Sequence, residues 1–144
     1  MRDAFHEDLD KISDQLVTMT TMVATALERA TTALLEGDRT VAESVIAADD
    51  DIDTLRREID DLAVDLLARQ QPVATDLRMV VTAMHMSSDI ERMGDLARHI
   101  AKVARMAAPN LAIPDGMRPI IAEMAAVGQR LVKATGDAIS SKDV

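Results

Sequence analysis

The spacing of hydrophobic residues along this chain is helical over most of its length. Apolar side chains recur every three or four residues through three long segments, at about 3–36, 39–69 and 75–107. A shorter segment of the same kind runs from about 117 to the end. This spacing aligns apolar side chains on one side of a helix, where the helices of a bundle bury them against one another. The pattern predicts three long helices and a shorter fourth one.

One row of apolar residues on each long helix forms the predicted core. The first row comprises Phe5, Leu9, Ile12, Leu16, Met19, Val23, Leu27, Ala30 and Leu34. The second row comprises Val41, Val45, Ala48, Ile52, Leu55, Ile59, Leu62 and Leu66. The third row comprises Met79, Ala83, Met86, Ile90, Met93, Ala97, Ile100 and Ala104. Because short breaks at Gly37-Asp38 and near Pro72 separate the segments, we predict an all-α, antiparallel three-helix bundle.

The fourth helix resembles a second copy of the first. Residues 33–38 match residues 138–143 at an offset of 105, and the same offset pairs Met19 with Met124. Two complete copies need roughly 210 residues, so we expect a chain truncated after the start of its second repeat. The predicted division is a three-helix bundle at 1–108, a linker loop at 109–116 and the first helix of an incomplete second repeat at 117–144.

The fourth helix carries apolar residues that lack second-bundle partners. They are Ile120, Ile121, Met124, Val127, Leu131 and Val132. These side chains must fold back onto the first bundle, swap into another copy or stay exposed, and an exposed apolar patch favours self-association. We therefore expect a homodimer or a domain-swapped oligomer.

Composition narrows the class of protein. The chain has 16 basic and 25 acidic residues, a formal charge of −9, no cysteine and a single aromatic residue, a phenylalanine. These counts exclude disulfides and thiolate metal sites and argue against nucleic-acid binding. A charged N-terminus and the lack of an apolar stretch of roughly 18 residues indicate a cytoplasmic protein.

Two pairs of acids supply the candidate chemistry. Asp49 and Asp53 are four residues apart on the second helix, as are Glu91 and Asp95 on the third. Residues at this spacing share a helix face about 5–6 Å apart, close enough to bind one cation. Asp53 and Glu91 are equally far from the turn near residue 72, so the two pairs are expected at similar heights along the antiparallel helices. Oxygen ligands alone suit Mg, Ca or Mn, whereas adding His99 would admit iron or zinc.

Structural interpretations of these acids remain open. The run at 49–53 is equally typical of a solvated helix face, or of an N-cap if the second helix breaks there. Glu91 and Asp95 are also compatible with an ion-pair network including Arg92 and Arg98. Gly94 favours a functional role, because glycine within a helix costs roughly 1 kcal/mol and indicates close approach by another group.

The sequence carries no recognisable catalytic motif. It contains no glycine-rich phosphate loop and no recognisable Ser/His/Asp arrangement. Di-iron enzymes built on helical bundles use Glu-x-x-His motifs, but Gly94 stands three residues after Glu91. We expect neither an enzyme nor an organic cofactor.

Two strings resemble the PhoU family, regulators associated with bacterial phosphate-specific transport. They are Arg-Gln-Gln-Pro-Val-Ala-Thr-Asp-Leu-Arg at 69–78 and Glu-Arg-Met-Gly-Asp at 91–95. The resemblance extends from Met1 into the fourth helix. The family is built from two tandem three-helix bundles, which agrees with the 105-residue offset.

The resemblance implies a metal site and a regulatory role. Family bundles hold iron or zinc clusters on paired acidic motifs, which match Asp49, Asp53, Glu91 and Asp95 here; Mn or Mg is also possible. His99 stands where relatives often have Asn. The implied function is negative regulation of the phosphate-starvation response through contacts with the phosphate transporter ATPase and its sensor histidine kinase. The alternative is a helical oligomerisation or interaction module without metal.

Overall fold

The computed structural model describes residues 2–141, with side chains from residue 4 onward. The four α-helices are α1 (Arg2–Glu36), α2 (Arg39–Gln70), α3 (Ala74–Ala107) and α4 (Arg118–Ser141), and a 3-10 turn at Asp115–Met117 precedes α4. The predicted all-α bundle and its helix boundaries are confirmed. The last residues of the repeat match, Lys142 and Asp143, lie outside the described residues.

The helix ends follow from local chemistry. Asp38 caps α2, because its Oδ1 accepts a hydrogen bond from the Val41 amide at 3.0 Å. Gly37 takes a φ of 67° in the turn before it, a conformation that costs glycine little. Gln71 adopts a left-handed conformation after α2, and Pro72 follows because it cannot continue a helix. These tight connections make α1, α2 and α3 antiparallel neighbours.

Helix α1 is the central element, since it packs against α2, α3 and α4. All of its predicted core row except the partly exposed Leu27 is buried. Large aliphatic residues dominate this row, and Ile12 and Met19 are fully enclosed. Their burial removes apolar surface from water, which is the main favourable term in folding.

The predicted core face of α3 is wrong by one position at four of its eight residues, which alternate with correctly predicted ones. The prediction placed Met79, Met86, Met93 and Ile100 in the core. The structure instead buries the residue after each of them: Val80, Ser87, Gly94 and Ala101. Met79 is exposed, whereas Met86, Met93 and Ile100 are partly buried and pack against the edge of the core, so these larger residues flank a contact face made of smaller ones. Small side chains take this face because they let helices approach closely.

Helix α4 folds back and runs antiparallel to α1. The Arg118 side chain donates a hydrogen bond to the Leu35 carbonyl at one end. Near the middle, Gln129 Nε2 donates to the Ala24 carbonyl at 3.0 Å. Ala24 and Gln129 are equivalent positions under the 105-residue offset. Contact between equivalent positions of antiparallel helices is the arrangement that a two-fold axis between repeats would produce.

Part of the apolar surface of α4 stays outside this contact. Val132 is buried and Ile121 packs against the bundle. The other apolar residues on the predicted list are 40–64 % exposed: Ile120, Met124, Val127 and Leu131. Folding back therefore covers one side of α4 only. Among the described helices, none is long and apolar enough to cross a membrane.

Candidate metal centre

Asp49 occupies a core position of α2. It is 3 % exposed and lies in the buried row between Val45 and Ile52. The sequence-based core row instead included Ala48, which is exposed. Helix α2 continues without interruption through this point, so Asp49 neither caps a helix nor lies on a solvated face. A buried carboxylate needs a partner or a cation.

Arg98 on α3 supplies a positive charge to Asp49. Its Nη1 lies 3.1 Å from Asp49 Oδ2, and its Nη2 lies 2.9 Å from Asp95 Oδ1. The guanidinium therefore bridges two of the four predicted ligands, one on each helix. The contact with Asp49 lacks hydrogen-bond geometry, because neither Asp49 Oδ2 nor Arg98 Nε has a hydrogen-bond partner. The ion-pair network expected from the sequence therefore includes Arg98, but the contact between Arg98 and Asp49 is not a hydrogen bond.

Gly94 brings α3 close to α2 beside this pair. A Cβ at this position would lie 3.1 Å from Ile52 Cδ1 and 3.5 Å from Asp49 Oδ1. The first distance is shorter than an ordinary contact, so the end of the Ile52 side chain would have to shift slightly for an alanine, and a larger side chain would press on α2. The close approach indicated by a glycine inside a helix is confirmed, and the group that approaches is α2 itself.

Glu91 joins the two acid pairs. Burial, followed by hydrogen bonding and repulsion involving Asp95 and Asp53, raises the pKa of Glu91 to about 7. Asp53 is on α2 and Asp95 on α3, so Glu91 lies among carboxyl groups of both helices. Burial also raises the pKa of Asp49, although the positive charge of Arg98 opposes this effect. The structure therefore brings all four predicted acids into one cluster.

Solvent reaches the cluster from one side. A depression of about 180 Å³ is lined by Asp53, Arg56, Arg57 and Glu91. An ion could enter here without unfolding the bundle, whereas Asp49 closes the inner end of the cluster. Arg56 is paired with Asp60 at 2.7 Å, and Ser87 donates a hydrogen bond to Asp60 at 3.1 Å. This network couples α2 to α3 next to the acids.

The cluster fits a metal ion in its chemistry. Four carboxylates on facing helices suit hard divalent cations, and Asp49 contributes a buried oxygen without a hydrogen-bond donor. Among the described residues, however, no three acidic or histidine side chains are arranged so that they could hold a metal ion. The ligand assignment of Asp49, Asp53, Glu91 and Asp95 stays a prediction. His99 is exposed on α3.

We expect the metal-free protein to lose stability between pH 5 and pH 8. The Glu91 pKa of about 7 exceeds its ordinary value of 4.5, so the folded state holds this proton more tightly than the unfolded state does. The resulting stabilisation is complete below about pH 4.5 and is lost as the pH rises through 7. After discounting for partial exposure, we expect a loss of about 1–2 kcal/mol from this group.

Glu91→Gln tests this pH dependence, because the amide keeps a neutral side chain at both pH values. Urea unfolding with a chelator at pH 5 and pH 8 should show a smaller drop in this variant than in the unsubstituted protein. Glu58→Gln, which replaces an exposed acid on α2, is the matched control and should keep the full drop. An unchanged drop in Glu91→Gln would contradict the role of Glu91.

Comparison with known proteins places these observations in a family. The family model described as PhoU domain matches residues 16–104, which include all four acids. The phosphate-specific transport system accessory protein PhoU homolog 2 of Mycobacterium tuberculosis is 43% identical over 143 residues, covering 99% of this chain and 67% of that protein. PhoU homolog 1 of Mycobacterium leprae is 40% identical over 143 residues, covering 99% of this chain and 64% of that protein.

A more distant relative matches a smaller part of the chain. The PhoU homolog of Aquifex aeolicus is 39% identical over 98 residues, covering 68% of this chain and 44% of that protein. The chain thus spans about two thirds of the length of its mycobacterial relatives. With 43% identity over nearly its whole length and a match to the domain model, the chain belongs to the PhoU family.

Proposed function

We propose that this chain is a regulatory adaptor of phosphate uptake and signalling. The observation that carries the proposal is the 43% identity, over 99% of the chain, to a protein named as an accessory of the phosphate-specific transport system. In this role the chain represses the phosphate-starvation response when phosphate is plentiful. It acts in the cytoplasm, by protein contacts and without catalysis.

The proposed partners are the phosphate transporter ATPase and its sensor histidine kinase. Contact with the membrane is peripheral and comes through the transporter. The formal charge of −9 favours docking to basic surfaces of these partners and disfavours nucleic acid. The exposed apolar residues of α4, such as Met124 and Leu131, support self-association as a homodimer or a swapped oligomer.

The proposed metal ligands are Asp49, Asp53, Glu91 and Asp95, holding iron or zinc, with manganese or magnesium as further candidates. A bound cation would neutralise carboxylates that otherwise repel one another across α2 and α3, and would tie the two helices together. The cluster of carboxyl groups around Glu91 supports this role.

A helical interaction module without metal is the second candidate. The observation that favours it is the Arg98 bridge, which already gives Asp49 and Asp95 a positive partner. In this alternative the acids contribute to folding alone, and the exposed side of α4 drives oligomerisation.

Metal content and regulation test the two candidates. Protein purified without chelator is compared with Asp53→Asn/Glu91→Gln and with a matched control, Glu58→Gln/Asp61→Asn, which changes two exposed acids of α2. We expect bound metal in the unsubstituted protein and the control, and its loss in the first variant.

A reporter of the phosphate-starvation response tests the regulatory role. In cells that lack their own PhoU protein, the unsubstituted chain should repress this reporter in high phosphate. Metal-free protein in all three samples would favour the metal-free module, and an unrepressed reporter would contradict the regulatory role.

A further inference from the structure

The Arg98 guanidinium occupies the position where a cation shared by α2 and α3 is needed. It contacts Asp49 at 3.1 Å and Asp95 at 2.9 Å, and these two residues are proposed metal ligands. A metal ion that used both carboxylates would compete with the guanidinium for the same oxygens.

The geometry makes this guanidinium displaceable. Its contact with Asp49 lacks a hydrogen bond, and Nε has no hydrogen-bond partner, so the pair is weaker than a bidentate one. Arg98 is 29% exposed, and its long side chain can carry the charge outward into solvent. Asp49 cannot follow, because it is 3 % exposed and lies in the core row of α2.

We propose that Arg98 is a built-in competitor of the metal ion, bridging Asp49 and Asp95 in the metal-free protein and leaving when a divalent cation binds. This inference rests on the proposed metal site and adds a residue that regulates how readily metal occupies it. The arginine keeps the buried carboxylate paired in the absence of metal, and it lowers the affinity of the cluster for metal. The site therefore reaches half-occupancy at a higher metal concentration than it would without Arg98.

Arg98→Met tests the proposal, because methionine fills similar space without a charge. Titration calorimetry with Mn²⁺ and with Zn²⁺ at one fixed pH should show at least tenfold tighter binding than in the unsubstituted protein. The matched control is Arg105→Met, which removes the same charge two helical turns further along α3; its affinity should stay within twofold. Arg98→Lys keeps the charge but cannot bridge both carboxylates as a planar fork, so its affinity should lie in between.

The remaining outcomes separate this inference from the metal site itself. If Arg98→Met binds metal no more tightly, while Asp53→Asn/Glu91→Gln abolishes binding, the site stands and competition by Arg98 is refuted. If neither the unsubstituted protein nor Arg98→Met binds Mn²⁺ or Zn²⁺, the proposed site and the inference both fail. Should Arg98→Met not fold, Arg98→Gln, which also removes the charge, takes its place, and unchanged affinity in that variant would refute competition.

Discussion

Arg98→Met is expected to lower the free energy of unfolding of the metal-free protein by about 2–3 kcal/mol, and adding Asp49→Leu to the same chain should restore most of that loss. Removing one partner of a buried ion pair costs about 3–5 kcal/mol, because the other charge remains buried. We reduce this figure because Arg98 is 29% exposed. Asp49 has no such access to solvent, since it is 3 % exposed.

The double variant should recover because a leucine at position 49 continues the apolar row between Val45 and Ile52. Replacing both members of a buried pair by apolar residues is often neutral or stabilising. Asp49→Leu alone should cost less than Arg98→Met, about 1–2 kcal/mol, because Arg98 keeps Asp95 as a partner. Urea unfolding in chelator at pH 8 measures all three variants.

The same variants separate stability from metal binding. Asp49→Leu/Arg98→Met should be nearly as stable as the unsubstituted protein but bind metal poorly, since it lacks a proposed ligand. Arg98→Met alone should be the least stable without metal and should gain the most stability when metal is added. A loss below about 0.5 kcal/mol in metal-free Arg98→Met would show that the buried pair contributes little.

The helices themselves could be predicted because their signals are local. Large apolar residues at three- and four-residue spacing define the α1 row, and Asp38 and Pro72 mark helix ends that the structure shares. Both signals act within a few residues along the chain, so they survive whatever the helix packs against. The three helices were therefore predictable to within about a turn at each end.

The rotation of α3 about its axis could not be predicted in the same way. Apolar size favours Met79 as a core residue, yet the face against the other helices carries Val80, Ser87 and Gly94. Closely packed helices select small residues at their contact, and sequence periodicity does not separate such residues from polar surface. Every second residue of the predicted row is displaced by one position and the others are correct, so the centre of the buried face is turned by about 50°, half of the roughly 100° between successive residues.

The candidate site was also predictable only in part: the position of the acids along the helices could be predicted, but contacts that depend on helix rotation could not. The four-residue spacing of the acids and their equal distance from the turn placed Asp53 and Glu91 together, and the structure brings their carboxyl groups into contact. The burial of Asp49 and its pairing with Arg98 across two helices depend on helix rotation. For this reason the acidic run at 49–53 resembled a solvated face, and Arg98 had only local partners in the prediction.

Gly94→Val is expected to lower the free energy of unfolding by about 2–3 kcal/mol and to weaken metal binding at least tenfold. Even the first carbon of a side chain would lie 3.1 Å from Ile52 Cδ1, so the two further methyl groups of valine must push α2 and α3 apart. Overpacking of this kind costs about 1–3 kcal/mol in a well-packed core. The separation also moves Asp49 and Asp53 away from Glu91 and Asp95, which lie on the opposite helix.

Two matched substitutions show whether helix separation causes the loss. Gly94→Ala adds one carbon that a small shift of Ile52 can absorb, and it gains about 1 kcal/mol of helix propensity, so its stability should stay close to that of the unsubstituted protein. Gly116→Val makes the same replacement where no atom lies within 4 Å and should leave metal affinity unchanged. Urea unfolding and calorimetric metal titration measure both effects. Equal stability of Gly94→Val and Gly94→Ala would show that α2 and α3 are not in close contact at position 94. The alignment of the four acids would then not depend on Gly94.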